Sequence, residues 1–186
     1  MRVVNYDEVN IPDELDSLAL ELRRTLVPRI KSHRSNDQAR ESNARSALYQ
    51  LPYILWGVSG EVRGKTILDL GCGSNQPSLE GGGIFNDSTY EPWLCRGLHM
   101  LGANPIGVDI GSLDGEEFTH HQIDLARLDS LKEIPNGSVD LANAKQLFSS
   151  PFLIRFTQTN PEDLRRNLHT QLERVLKPEA VFLYWD

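Results

Sequence analysis

Cysteine is scarce in this chain: Cys72 and Cys95 are the only two among 186 residues. They form no disulfide framework. Spaced 23 apart and without a C-x-x-C pair, they make no zinc site either, and no metal is expected. That usage fits a reducing, cytoplasmic setting. Long apolar runs are missing too. Nothing approaches the ~20 successive apolar residues that span a bilayer, and the opening MRVVNYDEVNIPDEL lacks the apolar core of a signal peptide. No membrane partner is expected. Positive charge is also short. Nineteen Lys and Arg against 26 Asp and Glu leave a net charge of −7, which argues against a surface built to neutralise phosphates, so nucleic acid is an unlikely partner. The basic stretch between Arg23 and Arg45 reads as the solvated face of an N-terminal helical segment.

What remains is an ordinary globular composition, 39% hydrophobic and 24% charged, in a chain long enough for one domain with a substantial core. Asp13 is placed to cap a helix in which Leu15, Leu18, Leu22, Leu26 and Ile30 recur at three and four residues. A second helical stretch runs from about Asn36 to Trp56, with Pro52 expected to kink it. No strand signal precedes residue 65. Residues 1–60 therefore read as a helical segment packed on a core domain over 61–186.

Alternation begins after that segment. KTILDL is a short apolar run ending at glycines, PIGVDI a second strand, THHQIDL a third, SVDLANA a fourth and AVFLYW a fifth. Helices are expected at Pro92 to Gly102, as a short piece from Leu125 to Lys132, and from Pro161, with Asn160 as cap and Pro178 as stop. Strands alternating with helices predict an α/β three-layer sandwich, its sheet mostly parallel with about five strands.

The stretch TILDLGCGSNQPSLEGGGIFND, Thr66 to Asp87, carries the most chemistry. It opens as a nucleotide-binding turn does, but Gln76 stands where a dinucleotide loop has its third glycine. The acid ending the next strand, Asp109, lies 38 residues beyond Gly71, whereas a dinucleotide fold places its acid about 20 residues on. Strand ends also bring Asp69, Asp109 and Asp124 to one rim. Three carboxylates suit hydroxyls, amines or positive charge rather than a pyrophosphate. Both features argue against a nicotinamide cofactor.

This ordered set, ILDLGCGS, GVDI, QIDL, SVDLANA and LERVLKPEAVFLY, resembles the class I S-adenosylmethionine-dependent methyltransferases over residues 65–186. The resemblance implies a Rossmann-like sheet of order 3-2-1-4-5, with S-adenosyl-L-methionine as cofactor. Carried over by position, Gly71, Cys72 and Gly73 would let the backbone approach the cofactor. Asp69 would orient that loop towards the ammonium, and Asp109 would accept both ribose hydroxyls. Ile110 would pack on the adenine, and Asp124 with the Leu125 N–H would meet its edge. Asn143, Ala144 and Lys145 would lie by the sulfonium. The acceptor is expected to be a small molecule or a protein; the alternative is a catalytically silent cofactor-binding partner.

The bland alternatives are that Asp69 satisfies loop amides and that Asp124 caps the turn after it. Phe148, Phe152 and Phe156 recur every four residues, which suits a core-facing helix or an acceptor pocket. The long Ser74–Tyr90 segment is either a lid or a surface insertion. The family's sixth and seventh strands have no counterpart here, so the fifth strand is expected to be an open edge. It would be covered by the N-terminal helices or by a second copy of the chain, a homodimer being the weakly favoured form.

Overall fold

The computed structural model describes residues 1–32, 37–75, 90–149 and 160–185. Six strands form one parallel sheet: β1 (Arg2–Asn5), β2 (Thr66–Leu70), β3 (Asn104–Asp109), β4 (Thr119–Gln122), β5 (Val139–Lys145) and β6 (Leu176–Trp185), in the order β1-β6-β5-β2-β3-β4. The five strands expected from sequence occur in the expected relative order. The sixth, β1, was not expected, and it changes the edge of the sheet. Arg2 to Asn5 pair with Val181 to Tyr184. The strand that seemed open is thus covered, by a strand of the same chain and not by a helix or a second copy. With that edge covered, the argument for a homodimer loses its premise.

Side-chain alternation along the strands assigns the two faces. Ile67, Leu141, Val181 and Leu183 turn to one side and pack with Leu26, Leu48, Leu51, Ile54, Leu55 and Leu98. These come from α1 (Asp13–Leu26), a 3₁₀ turn (Leu48–Gln50), α3 (Leu51–Gly57) and α4 (Trp93–Met100). Leu68, Leu70, Ala142 and Phe182 turn the other way, against Leu164, Leu168 and Leu172 of α5 (Pro161–Val175) and against Leu125, Leu131 and Ile134. This is a three-layer α/β sandwich in which the N-terminal helices form one whole layer. They share a hydrophobic cluster with the sheet itself.

Several local expectations need correction. Helix α1 begins at Asp13, but Pro12 holds the cap position and no side chain caps it; Asp13 sits in the first turn, where its charge complements the helix dipole. The long second helix is divided into α2 (Asp37–Ala47), the 3₁₀ turn and α3, with Pro52 in the first turn of α3. Proline cannot donate back to the preceding turn, so it starts a new helix instead of bending one. Residues Leu125 to Lys132 form successive turns, not a helix: Arg127, Ser130 and Lys132 each donate to the carbonyl three residues back. Asn160 does cap α5, accepting from the Glu162 N–H at 3.0 Å. That helix ends at Val175, before Pro178, and runs straight into β6, where Pro178 occupies an irregularity between the pairs Val139–Leu176 and Leu141–Val181.

An ion cluster fastens the helical layer from outside. Arg96 of α4 bonds Glu91 at 2.7 Å and Glu116 at 2.9 Å, and donates to the Lys31 carbonyl at 2.9 Å. Glu91 is fully buried. Removing Arg96 would leave that carboxylate without its counter-charge, a change that costs about 3–5 kcal/mol in comparable buried pairs.

The pairing of β1 predicts that alternate amides within Val181 to Tyr184 exchange slowly in hydrogen-exchange experiments, independently of protein concentration. Deleting residues 1–5 should speed the exchange of those facing β1 by tenfold or more. Unchanged exchange in the truncated chain would show that β1 does not hold this edge.

Candidate functional site

Strand β2 lies between β3 and β5, so the connections from its carboxyl end diverge to opposite sides. In open α/β sheets that divergence makes a crevice, and ligands bind there. The chain leaves β2 through Gly71 and Gly73, whose φ values of 70° and 94° are left-handed. A side chain is strained in that conformation. The turn is pinned to β3: the Gly71 and Cys72 N–H groups donate to the Val108 carbonyl at 2.8 and 3.2 Å. The Tyr90 segment closes over Gly73, where an added Cβ would lie 2.6 Å from the Tyr90 carbonyl oxygen.

Asp109 ends β3 and joins two loops. Its Oδ2 accepts from the Gly73 N–H at 2.9 Å and its Oδ1 from the Gly111 N–H at 2.8 Å. Burial raises its pKa above the ordinary carboxylate value, against the N–H groups of Gly111, Gly73 and Ile110, which lower it. A carboxylate offers about four acceptor positions, so these two bonds leave capacity for a pair of hydroxyls. Ile110, beside it, is 40% exposed. Asp124 is half-buried, and its Oδ1 accepts from the Ala126 N–H at 2.9 Å, the capping of a turn that the sequence had left as the bland alternative. The Leu125 side chain is in the core.

Asp69 and Asn143 lie opposite each other on β2 and β5, on the face beneath the N-terminal helices. Asn143 donates from Nδ2 to Asp69 at 2.7 Å and to the Gln50 Oε1 at 3.0 Å, and its Oδ1 accepts from the Tyr6 hydroxyl. The Cys95 thiol donates to Asp69 at 3.6 Å. Asp69, Asn143 and Gln50 are all buried. These groups form a polar floor under the rim, and Ala144 is equally buried. Burial pushes the Asp69 carboxyl up to about 6, its bond from Asn143 opposing the shift. Cys72 and Cys95 are free and buried around Gly107. Burial raises the Cys72 thiol and takes Cys95 to about 11, so neither is a ready nucleophile at neutral pH.

Beyond this floor opens a cleft of about 590 Å³, lined among others by Tyr6, Tyr49, Gln50, Tyr53, Lys145 and Trp185. Sequence reading found Lys145 and missed the rest, which come from segments far apart in the chain. Lys145 ends β5, where Gln146 adopts a left-handed φ of 55° and donates its N–H to the Trp185 carbonyl. A non-glycine residue in that region is a strained point of the kind that collects at functional sites. Burial lowers the Lys145 pKa from its ordinary value. Phe148 lies in the core on the other side of the sheet, with the Arg165 guanidinium 4.7 Å from its ring centroid. Phe152, Phe156 and most of the Ser74–Tyr90 segment lie outside the described residues.

No protein-family model matches the chain, and no curated protein matches it. Among the described residues no helix is long and apolar enough to cross a membrane.

The buried Asp69 predicts a pH dependence of stability. Its folded-state pKa, about 6, lies above the ordinary 3.8, so the native site favours the protonated acid. Below about pH 4 that preference is fully satisfied. Between pH 4 and 6 the unfolded chain binds fewer protons than the folded one, and stability falls as pH rises. The total is on the order of 3 kcal/mol. Asp69→Asn should remove this decline, which urea unfolding at a series of pH values would measure; parallel profiles for the two proteins would exclude Asp69 as its source.

Proposed function

We propose that the chain is an S-adenosylmethionine-dependent methyltransferase acting on a small-molecule or protein acceptor. The observation that carries this reading is Asp109: a half-buried carboxylate at the carboxyl end of β3, anchored to the glycine turn of β2 and with acceptor positions left over. Exposed Ile110 beside it supplies an apolar surface of the kind an adenine ring packs on. The left-handed Gly71 and Gly73 and the position at the divergence of the sheet support the same reading.

When bound, the cofactor supplies an electrophilic methyl group on a sulfonium. The protein's part is binding, orientation and the exclusion of water. Asp109 would hold the ribose diol through charge-assisted hydrogen bonds. Ile110 and the backbone at Asp124 and Leu125 would bound the adenine. Asp69, Asn143 and Ala144 are buried, so their contribution is to fix the strand ends from below, with Asp69 holding the glycine turn in place rather than meeting the ligand. Lys145 is the residue of β5 that lines the cleft. A reducing cytoplasm remains the setting this reading assigns.

Calorimetric titration tests it. S-adenosylhomocysteine should bind tighter than NAD, and the reverse order would sink the proposal. Asp109→Asn should weaken S-adenosylhomocysteine by about tenfold or more, since hydrogen bonds to a charged group contribute about 1.5–3 kcal/mol each. Because Asp109 also ties two loops together, its unfolding midpoint must be measured alongside. A folded variant with unchanged affinity would remove Asp109 from the ribose role.

A further inference from the structure

The cleft beside β5 carries chemistry that the cofactor reading does not use. Two cations reach it, Lys145 and Arg23. Each is stacked on an aromatic ring: Lys145 Nζ lies 5.3 Å from the Trp185 centroid, and the Arg23 guanidinium 4.5 Å from that of Tyr49. Among the described residues neither cation is ion-paired, and the Arg23 Nε is buried with no hydrogen-bond acceptor. Unpaired cations in partly desolvated positions are costly, and a ligand that supplies the missing anion recovers that cost. The carboxylates of the cleft, Asp7 and Asp16, belong to exposed residues, where water already solvates them. Negative charge therefore sits in solvent while the uncompensated positive charge lies deeper.

The remaining walls set the shape of the ligand. Tyr6 and Tyr53 meet edge to face with centroids 4.3 Å apart, and Tyr49 and Trp185 stand beside the two cations. Rings of this kind favour a flat, apolar partner. A volume of about 590 Å³ is within the usual span of small-molecule sites. The geometry points to a binding site for a small planar aromatic molecule bearing an anionic group, such as a carboxylate, with Lys145 and Arg23 as its counter-charges. That such a molecule is the methyl acceptor rests on the methyltransferase reading; its binding does not.

The experiment uses a matched pair of probes, naphthalene-2-carboxylate and naphthalene-2-carboxamide, titrated calorimetrically into the full chain. The carboxylate should bind at least tenfold tighter than the neutral amide. In Lys145→Met that preference should fall to about threefold or less with an unchanged unfolding midpoint, and Arg23→Met, on the surface helix α1, should reduce it as an independent variant. Equal affinities, no binding of the carboxylate, or a preference that survives in both variants would overturn the inference. S-adenosylhomocysteine titrated in parallel separates the two proposals. Carboxylate binding without S-adenosylhomocysteine binding keeps the cleft and removes the methyltransferase reading; the opposite pattern removes the cleft alone.

Discussion

The structure depends on one buried amide. Asn143 is fully inaccessible in the middle strand region of the sheet, and an amide there must find partners or destabilise the fold. It finds them in three distant segments: Asp69 on β2, Gln50 ahead of α3, and the hydroxyl of Tyr6 just after β1. Gln50 is held in turn by its own bond to the Ala47 carbonyl at 3.1 Å. A half-satisfied network would be worse than an apolar one. The N-terminal layer is therefore a condition for the carboxyl edge of the sheet to be stable, and the cleft above it exists because that layer is docked.

Close backbone approach shapes the rim itself. An added Cβ at Gly111 would meet the Ser74 side chain at 2.5 Å, and one at Gly71 would meet Leu147 at 3.2 Å. The loops after β2, β3 and β5 thus rest directly on one another, with Asp109 as the charged link between the first two. Here a ligand-recognition residue and a structural tie are the same side chain. A change at Asp109 is felt in loop geometry as well as in affinity.

Sequence reading recovered what local chemistry specifies. The β-branched and apolar runs ending at glycine or acid marked five strands, and Asn160-Pro161 marked a helix start, because each signal lies within a few residues of what it determines. It failed where the determinant is remote. RVVN is only four residues long and polar at both ends, and it becomes a strand solely because β6 presents an unpaired edge to it. Asn143 looked like a residue facing a ligand, since nothing local reveals that Tyr6 and Gln50 converge on its side chain. The cleft was invisible for the same reason: Tyr6, Tyr53 and Trp185 become neighbours only after the sheet is complete. The proline at 178 misled for a different reason, as a bulge in β6 tolerates what a regular strand would not.

The pairing of β1 with β6 has a consequence in time. The amino group of Met1 meets the Pro178 carbonyl across 177 residues of chain, among the longest loops the fold has to close. On a ribosome the first strand emerges long before its partner, and Tyr6 waits equally long for Asn143. Until β6 is made, the helical layer has only part of the sheet to rest on, and the amide network lacks a settled floor. Synthesis from the N-terminus cannot lock this protein progressively. Its last turn of assembly joins the oldest residues to the newest, and the rim, the polar floor and the cleft should become native together at that step.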